Sequence, residues 1–216
     1  MIRHGSLALL TLLTASLEAS DWPQFLGPRR DGSAPDESIV DAIHASKRRI
    51  LWRLPAGEGF SGPVVADGAV FLFHQPAGEE ILESMDASTG ASRWKLGYAT
   101  DYAGGYGTGP GPRGTPAVSQ GRVITFGAAG TIQGVDAKTG KLLWRRDLAK
   151  EYSLPEGFFG VGTSPLIDGD QILVTVGAKN ASLVSFDPAT GKTNWIASDD
   201  EASYSSPIAA DLAGKH

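Results

Sequence analysis

The sequence predicts an all-β fold, a β-propeller of four-stranded antiparallel blades, and three observations carry that expectation. The element D-(A/P)-x-T-G-x-x-x-W occurs as DASTGASRW, DAKTGKLLW and DPATGKTNW. Its anchors keep step: Asp86, Asp136 and Asp187 lie 50 and 51 residues apart, and Trp94, Trp144 and Trp195 repeat the same two intervals. Pro63, Pro116, Pro165 and Pro207 open successive units. A repeat near fifty residues that reads as four short strands cannot bury both faces of one sheet alone, so the sheets must stack on one another around an axis.

Taken in chain order, residues 1–20 read as a signal peptide. Arg3 supplies the positive start, Leu7–Leu13 the short apolar run, and Ala19 and Ser20 the small residues after it. The run is too short to span a bilayer. Residues 21–48 follow as an N-terminal extension, and 49–216 hold the partial propeller. Its blades are expected at about 61–97, 113–148 and 162–197, with the start of another at 204–216. In the second unit, strands are predicted at Pro116–Val118, Arg122–Phe126, Thr131–Val135 and Lys141–Arg145.

The turn between the last two strands of each unit is written by residue type. An Asp side chain accepts backbone N–H bonds, and Gly takes the positive φ that other residues resist. Asp86, Thr89 and Gly90, then Asp136, Thr139 and Gly140, then Asp187, Thr190 and Gly191 are therefore turn-makers rather than catalytic groups. Trp94, Trp144 and Trp195 suit large apolar plugs between neighbouring sheets.

Composition narrows the function classes. The net charge is −5, which leaves no electrostatic footprint for nucleic acid. The absence of cysteine excludes disulfides and thiolate metal sites. His4, His44, His74 and His216 show no paired metal-ligand spacing. The 28 glycines and 13 prolines fit many tight turns between short strands.

At the D-(A/P)-x-T-G-x-x-x-W element the chain resembles the pyrroloquinoline-quinone (PQQ)-like repeat family, with similarity from Trp52 to the end. The leader DWPQFLGPRRDG, Asp21–Gly32, resembles that of exported bacterial members. The resemblance implies that each tryptophan docks one blade on the next. It also implies that Trp52, which lacks an upstream D-A-x-T-G, belongs to a strand completing the last blade. A full family ring has seven or eight blades, so this chain reads as an N-terminal fragment whose partners include the remaining blades of the same protein; a half-propeller that pairs with another chain is the alternative.

The resemblance further implies a ligand on the face carrying the connections from each fourth strand to the next first strand. These connections, 101–116, 151–165 and 199–207, are long and aromatic, and Tyr106, Arg113, Phe159 and Tyr204 are the candidate cofactor-binding or stacking residues. Simple capping of the blade edges is the competing role. No catalytic residue is identifiable and no metal site is expected. PQQ with calcium enters by resemblance alone. Gly191-Lys192-Thr193 lacks the upstream glycine and following helix of a phosphate loop, the glycines at 104–111 lack dinucleotide spacing, and Asp199, Asp200 and Glu201 read as a solvated acidic run. Asn180-Ala181-Ser182 matches a glycosylation sequon, a pattern that recurs by chance. The expected function is a periplasmic or secreted, non-catalytic binding or scaffold module for an unknown small molecule or protein. A PQQ-dependent alcohol or sugar dehydrogenase is second. Scaffolding of outer-membrane protein assembly ranks below both, because the family's lipoprotein in that role needs a cysteine anchor.

Overall fold

A computed structural model describes residues 20–34, 49–105, 107–154, 160–201 and 203–216. The predicted signal peptide lies almost wholly outside the described residues, as does the second half of the predicted extension. Three four-stranded antiparallel sheets follow in chain order. Blade 1 comprises β1 (Val64–Ala66), β2 (Ala69–His74), β3 (Glu79–Asp86) and β4 (Ser92–Ala99). Blade 2 comprises β5 (Ala117–Ser119), β6 (Arg122–Phe126), β7 (Thr131–Asp136) and β8 (Leu142–Asp147), and blade 3 comprises β9 (Leu166–Asp168), β10 (Gln171–Ala178), β11 (Ala181–Phe186) and β12 (Thr193–Ala197). Each is a simple up-and-down meander, which is the blade architecture of the predicted propeller.

The core lies between blades. Phe71, Phe73 and Leu82 of blade 1 close on Val118, Val123 and Val135 of blade 2. Ile124, Phe126 and Trp144 of blade 2 close on Ile172, Val174 and Phe186 of blade 3. β6, between the two clusters, is therefore buried on both faces, and Val123–Phe126 is buried throughout where a half-exposed sheet would alternate.

The repeated turn works as its residue types require, and the glycine has a second duty. Thr89, Thr139 and Thr190 each donate backbone N–H and hydroxyl to the Oδ1 of Asp86, Asp136 and Asp187, respectively. Gly140 has φ +72°, and a Cβ there would come within 2.6 Å of the Trp94 ring. Gly90 receives Trp52 and Gly191 receives Trp144 in the same manner. The register shifts at one place in every sheet, between Ser84 and Met85, Gly134 and Val135, and Ser185 and Phe186. Each shift is a β-bulge beside the tryptophan-bearing position of the outer strand, where a bulge re-aims a side chain.

A second relay runs close to the axis. The N–H of Gly62 donates to Thr115 Oγ1 (3.1 Å), that of Thr115 to Ser164 Oγ (2.9 Å), and that of Ser164 to Ser206 Oγ (2.8 Å). All four residues immediately precede the unit-opening prolines. Successive inner strands are thus tied to one another, blade to blade.

Candidate functional site

The connection from β8 to β9 opens with one helical turn, α1 (Leu148–Tyr152), where the sequence suggests only a long loop. Asp147 caps it by accepting from Lys150 N–H at 3.1 Å. This turn, the β6–β7 and β10–β11 turns, and the connection after β12 surround a cavity of about 920 Å3 on the face that carries the interblade connections. Its floor is small and apolar (Ala128, Ala129, Ala149, Val176), which leaves room for a ligand. Two tyrosines, Tyr102 and Tyr204, form aromatic walls. Both lie against glycine: a Cβ at Gly160 would meet the Tyr102 ring at 2.8 Å, and one at Gly162 would meet Tyr204 at 2.5 Å.

The charged lining is unbalanced. Lys179 contributes one positive charge, and Asp199, Asp200 and Glu201 contribute three negative charges, a net of −2. The mouth therefore favours neutral or cationic ligands and disfavours anions.

Of the four sequence candidates, Tyr204 lines this cavity and is half exposed. Arg113 does not line it. Its guanidinium stacks between Phe60 (4.8 Å) and Tyr102 (4.9 Å), and donates to Tyr102 Oη (3.1 Å), Thr108 Oγ1 (3.3 Å), the Gly109 carbonyl (2.9 Å) and the Gly111 carbonyl. Arg113 thus holds Tyr102 against the cavity instead of offering its donors to a ligand. Tyr106 and Phe159 lie outside the described residues. Tyr102 and Lys179, which also line the cavity, are not among those candidates. Tyr102 sits in the same DYAGGYG run as Tyr106, and nothing in the residue pattern marks it out.

Beneath the floor lies Glu80, which is fully buried. Its Oε1 accepts the Ala128 N–H at 3.0 Å, and Tyr98 Oη donates to its Oε2. Burial pushes the Glu80 carboxyl above the usual carboxylate range, and burial together with the Glu80 charge pushes the Tyr98 phenol up. Arg145 stacks 4.6 Å over Tyr98 and donates to Gln133 Oε1. This cluster joins blade 1 to the turn that floors the cavity. His74 is a second buried group: its Nδ1 accepts the Gly57 N–H at 2.7 Å, and burial holds its pKa down.

The cofactor implied by the resemblance does not fit these residues. PQQ is a tricarboxylate, whereas the cavity carries net negative charge and the donors of Arg113 are taken. No group of three or more histidine or acidic residues able to hold a metal ion occurs among the described residues. No described helix is long and apolar enough to cross a membrane.

Residues 36–215 match the family described as outer membrane protein assembly factor BamB. BamB of Yersinia pestis is 29% identical over 164 residues, which cover 74% of this chain and 39% of that protein. The quinohemoprotein alcohol dehydrogenase ADH-IIG of Pseudomonas putida is 30% identical over 123 residues, covering 50% of this chain and 17% of the enzyme. Among solved structures, the quinohemoprotein alcohol dehydrogenase of Comamonas testosteroni superposes with a TM-score of 0.62 at 21% identity, over 82% of this chain and 27% of that one. That likeness establishes the propeller fold alone. The chain thus spans well under half the length of these relatives. With the blade motifs, the interblade tryptophans and a match over most of its length, the chain belongs to the BamB family of PQQ-like repeat propellers.

Proposed function

We propose that this chain is part of an exported propeller that acts in the periplasm as a non-catalytic binding or scaffold module. The observation that carries this reading is the cavity on the connection face, with its aromatic walls and net negative lining. Relatives named as outer membrane protein assembly factors support a protein partner, and the signal-like residues 1–20 support export. Equilibrium dialysis of the protein against PQQ and calcium is expected to show no stoichiometric uptake. Tight uptake at one equivalent would overturn the reading.

A dehydrogenase is the second reading, favoured by the 30% identity to the Pseudomonas putida enzyme over half of this chain. Its cofactor site would have to draw on residues other than those described. Dye-linked oxidation of alcohols or sugars that depends on added PQQ would establish it, and inactivity across a broad panel would dismiss it.

A further inference from the structure

The segment from Asp21 to Ser33 touches the inner edge of all three blades. Trp22 pairs with Val65 of β1 in an antiparallel bridge: its N–H donates to the Val65 carbonyl (2.8 Å), and its carbonyl accepts the Val65 N–H (2.9 Å). The carbonyl of the next residue, Pro23, accepts the N–H of Val118 of β5 at 2.8 Å. Further along, Arg30 donates through Nη1 to the Pro165 carbonyl (3.1 Å) and through Nη2 to the Ser164 carbonyl (3.4 Å), at the entrance to β9. Asp21 lies at the other end, accepting the Asp67 N–H of the β1–β2 turn at 3.3 Å. The segment therefore runs along the axis from the turn face toward the connection face.

It is also folded on itself. Leu26, Gly27, Arg30 and Gly32 have positive φ, and Gly32 N–H donates to the Leu26 carbonyl at 2.9 Å. The Trp22 ring lies on Gly27, where a Cβ would approach it to 2.7 Å. Gln24 ties the two arms together, donating to the Pro28 carbonyl and accepting from Arg30 Nη1 at 3.2 Å. Arg30 is 7% exposed, a costly place for a guanidinium unless its contacts are structural.

We propose that residues 21–33 are an axial plug. Inner strands leave one edge of N–H and C=O groups facing the axis, and an open edge of this kind invites another strand. The plug bonds through its backbone to Val65 on the edge of blade 1 and to the Val118 N–H on the edge of blade 2, and clamps blade 3 with a side chain. The axis along these blades is thereby occupied by the chain itself, and the off-axis cavity on the connection face is left as the space for a ligand. This holds whichever partner the cavity takes.

The test uses two amides whose hydrogen bonds come from the plug, those of Val65 and Val118. Hydrogen exchange of the full chain, resolved by residue, is expected to show both protected. Arg30→Met is expected to accelerate both by about tenfold or more, although the hydrogen bonds of Arg30 go to Gln24, Gly27, Ser164 and Pro165, while amides inside the β6–β7 ladder keep their rates. Arg30→Lys, with a single donor centre for two carbonyls, should fall between, and Arg29→Met, at an exposed neighbour, should change nothing. Fast exchange of Val65 and Val118 in the unaltered protein would overturn the proposal. So would unchanged rates in Arg30→Met, or equal acceleration of every amide, which would reduce Arg30 to a contributor to global stability.

Discussion

The indole Nε1 of Trp94 donates to the main-chain carbonyl of Ala137 at 3.1 Å, across the junction of the first two blades. Trp144 repeats the bond to Pro188 at 3.0 Å, and Trp52 makes it to Ala87 at 2.9 Å. In each case the ring also covers the turn glycine, so one side chain satisfies a carbonyl and fills the interblade gap together. Trp52 has no D-A-x-T-G of its own and follows no described sheet, yet it docks on blade 1 as Trp94 docks on blade 2. Its segment stands where the outer strand of a preceding blade would stand.

These indoles set the first prediction. Trp144→Ala should destabilise the protein by about 3–5 kcal/mol, the range for emptying a buried aromatic site. Trp144→Phe should cost about 1 kcal/mol, because the Pro188 carbonyl loses its donor while the apolar fill largely remains. Trp195, 40% exposed in this chain, should tolerate alanine within about 0.5 kcal/mol. Urea denaturation of the three variants checks the order, and equal losses at positions 144 and 195 would refute it.

Acid should loosen the repeated turns. The hydroxyl and N–H donors of Thr139 hold the Asp136 carboxyl below the usual range, and Thr190 does the same for Asp187. The donors of Ser88 lead at Asp86, followed by Arg93. A depressed folded pKa contributes stability that is present above the unfolded value of about 3.9 and is lost as pH falls through the folded one. The thermal midpoint should therefore drop below about pH 4, and Asp136→Asn, which keeps an acceptor without a titrating proton, should flatten that limb. A midpoint profile of Asp136→Asn that overlays the unaltered protein would discard the assignment.

The fold was legible because its key contacts are written once per blade at a fixed interval: Asp136, Gly140 and Trp144 recur with chemistry intact. The bulges were not, since Ser84, Gly134 and Ser185, at equivalent positions, are small residues with nothing in the sequence to set them apart from others in the strands. Arg30 reads as one of two adjacent arginines, and only its bond to the Pro165 carbonyl, 135 residues away, distinguishes it from Arg29. Glu80 is similar: it follows Glu79 in a strand, and which of the two is buried depends on the neighbouring blade. At the cavity, the aromatic connections were visible as composition, but the division of labour between Arg113 and Tyr102 required the folded loop.

Glu80 supplies the opposite pH signature. Burial raises its folded pKa, with the Tyr98 hydroxyl, the Ala128 N–H and the Arg113 charge pulling the other way. A raised acid contributes stability that is complete below the unfolded value of about 4.3 and declines as pH climbs through the folded one. Glu80→Gln should therefore gain on the unaltered protein between pH 5 and pH 8. Glu80→Ala should lose at both, by about 1–3 kcal/mol for each buried donor left unpaired. Chemical denaturation at the two pH values decides it, and a constant difference between Glu80→Gln and the unaltered protein would show that this carboxyl does not titrate with the fold.

The pre-proline relay makes the last prediction. Ser164 is 3% exposed and has two bonds in the relay, accepting from the Thr115 N–H through Oγ and donating its own N–H to Ser206. Ser164→Ala removes the first and keeps the second, leaving the Thr115 amide buried without an acceptor. The expected cost is about 1–3 kcal/mol, although the substitution deletes one atom and exposes no apolar surface. Ser164→Thr keeps the hydroxyl and should recover most of it, because Thr115 already performs the equivalent task one blade earlier. The exchange rate of the Thr115 amide separates this cause from simple loss of packing. It should rise in Ser164→Ala and return in Ser164→Thr, and an amide indifferent to both changes would mean the inner strands are held together without the relay.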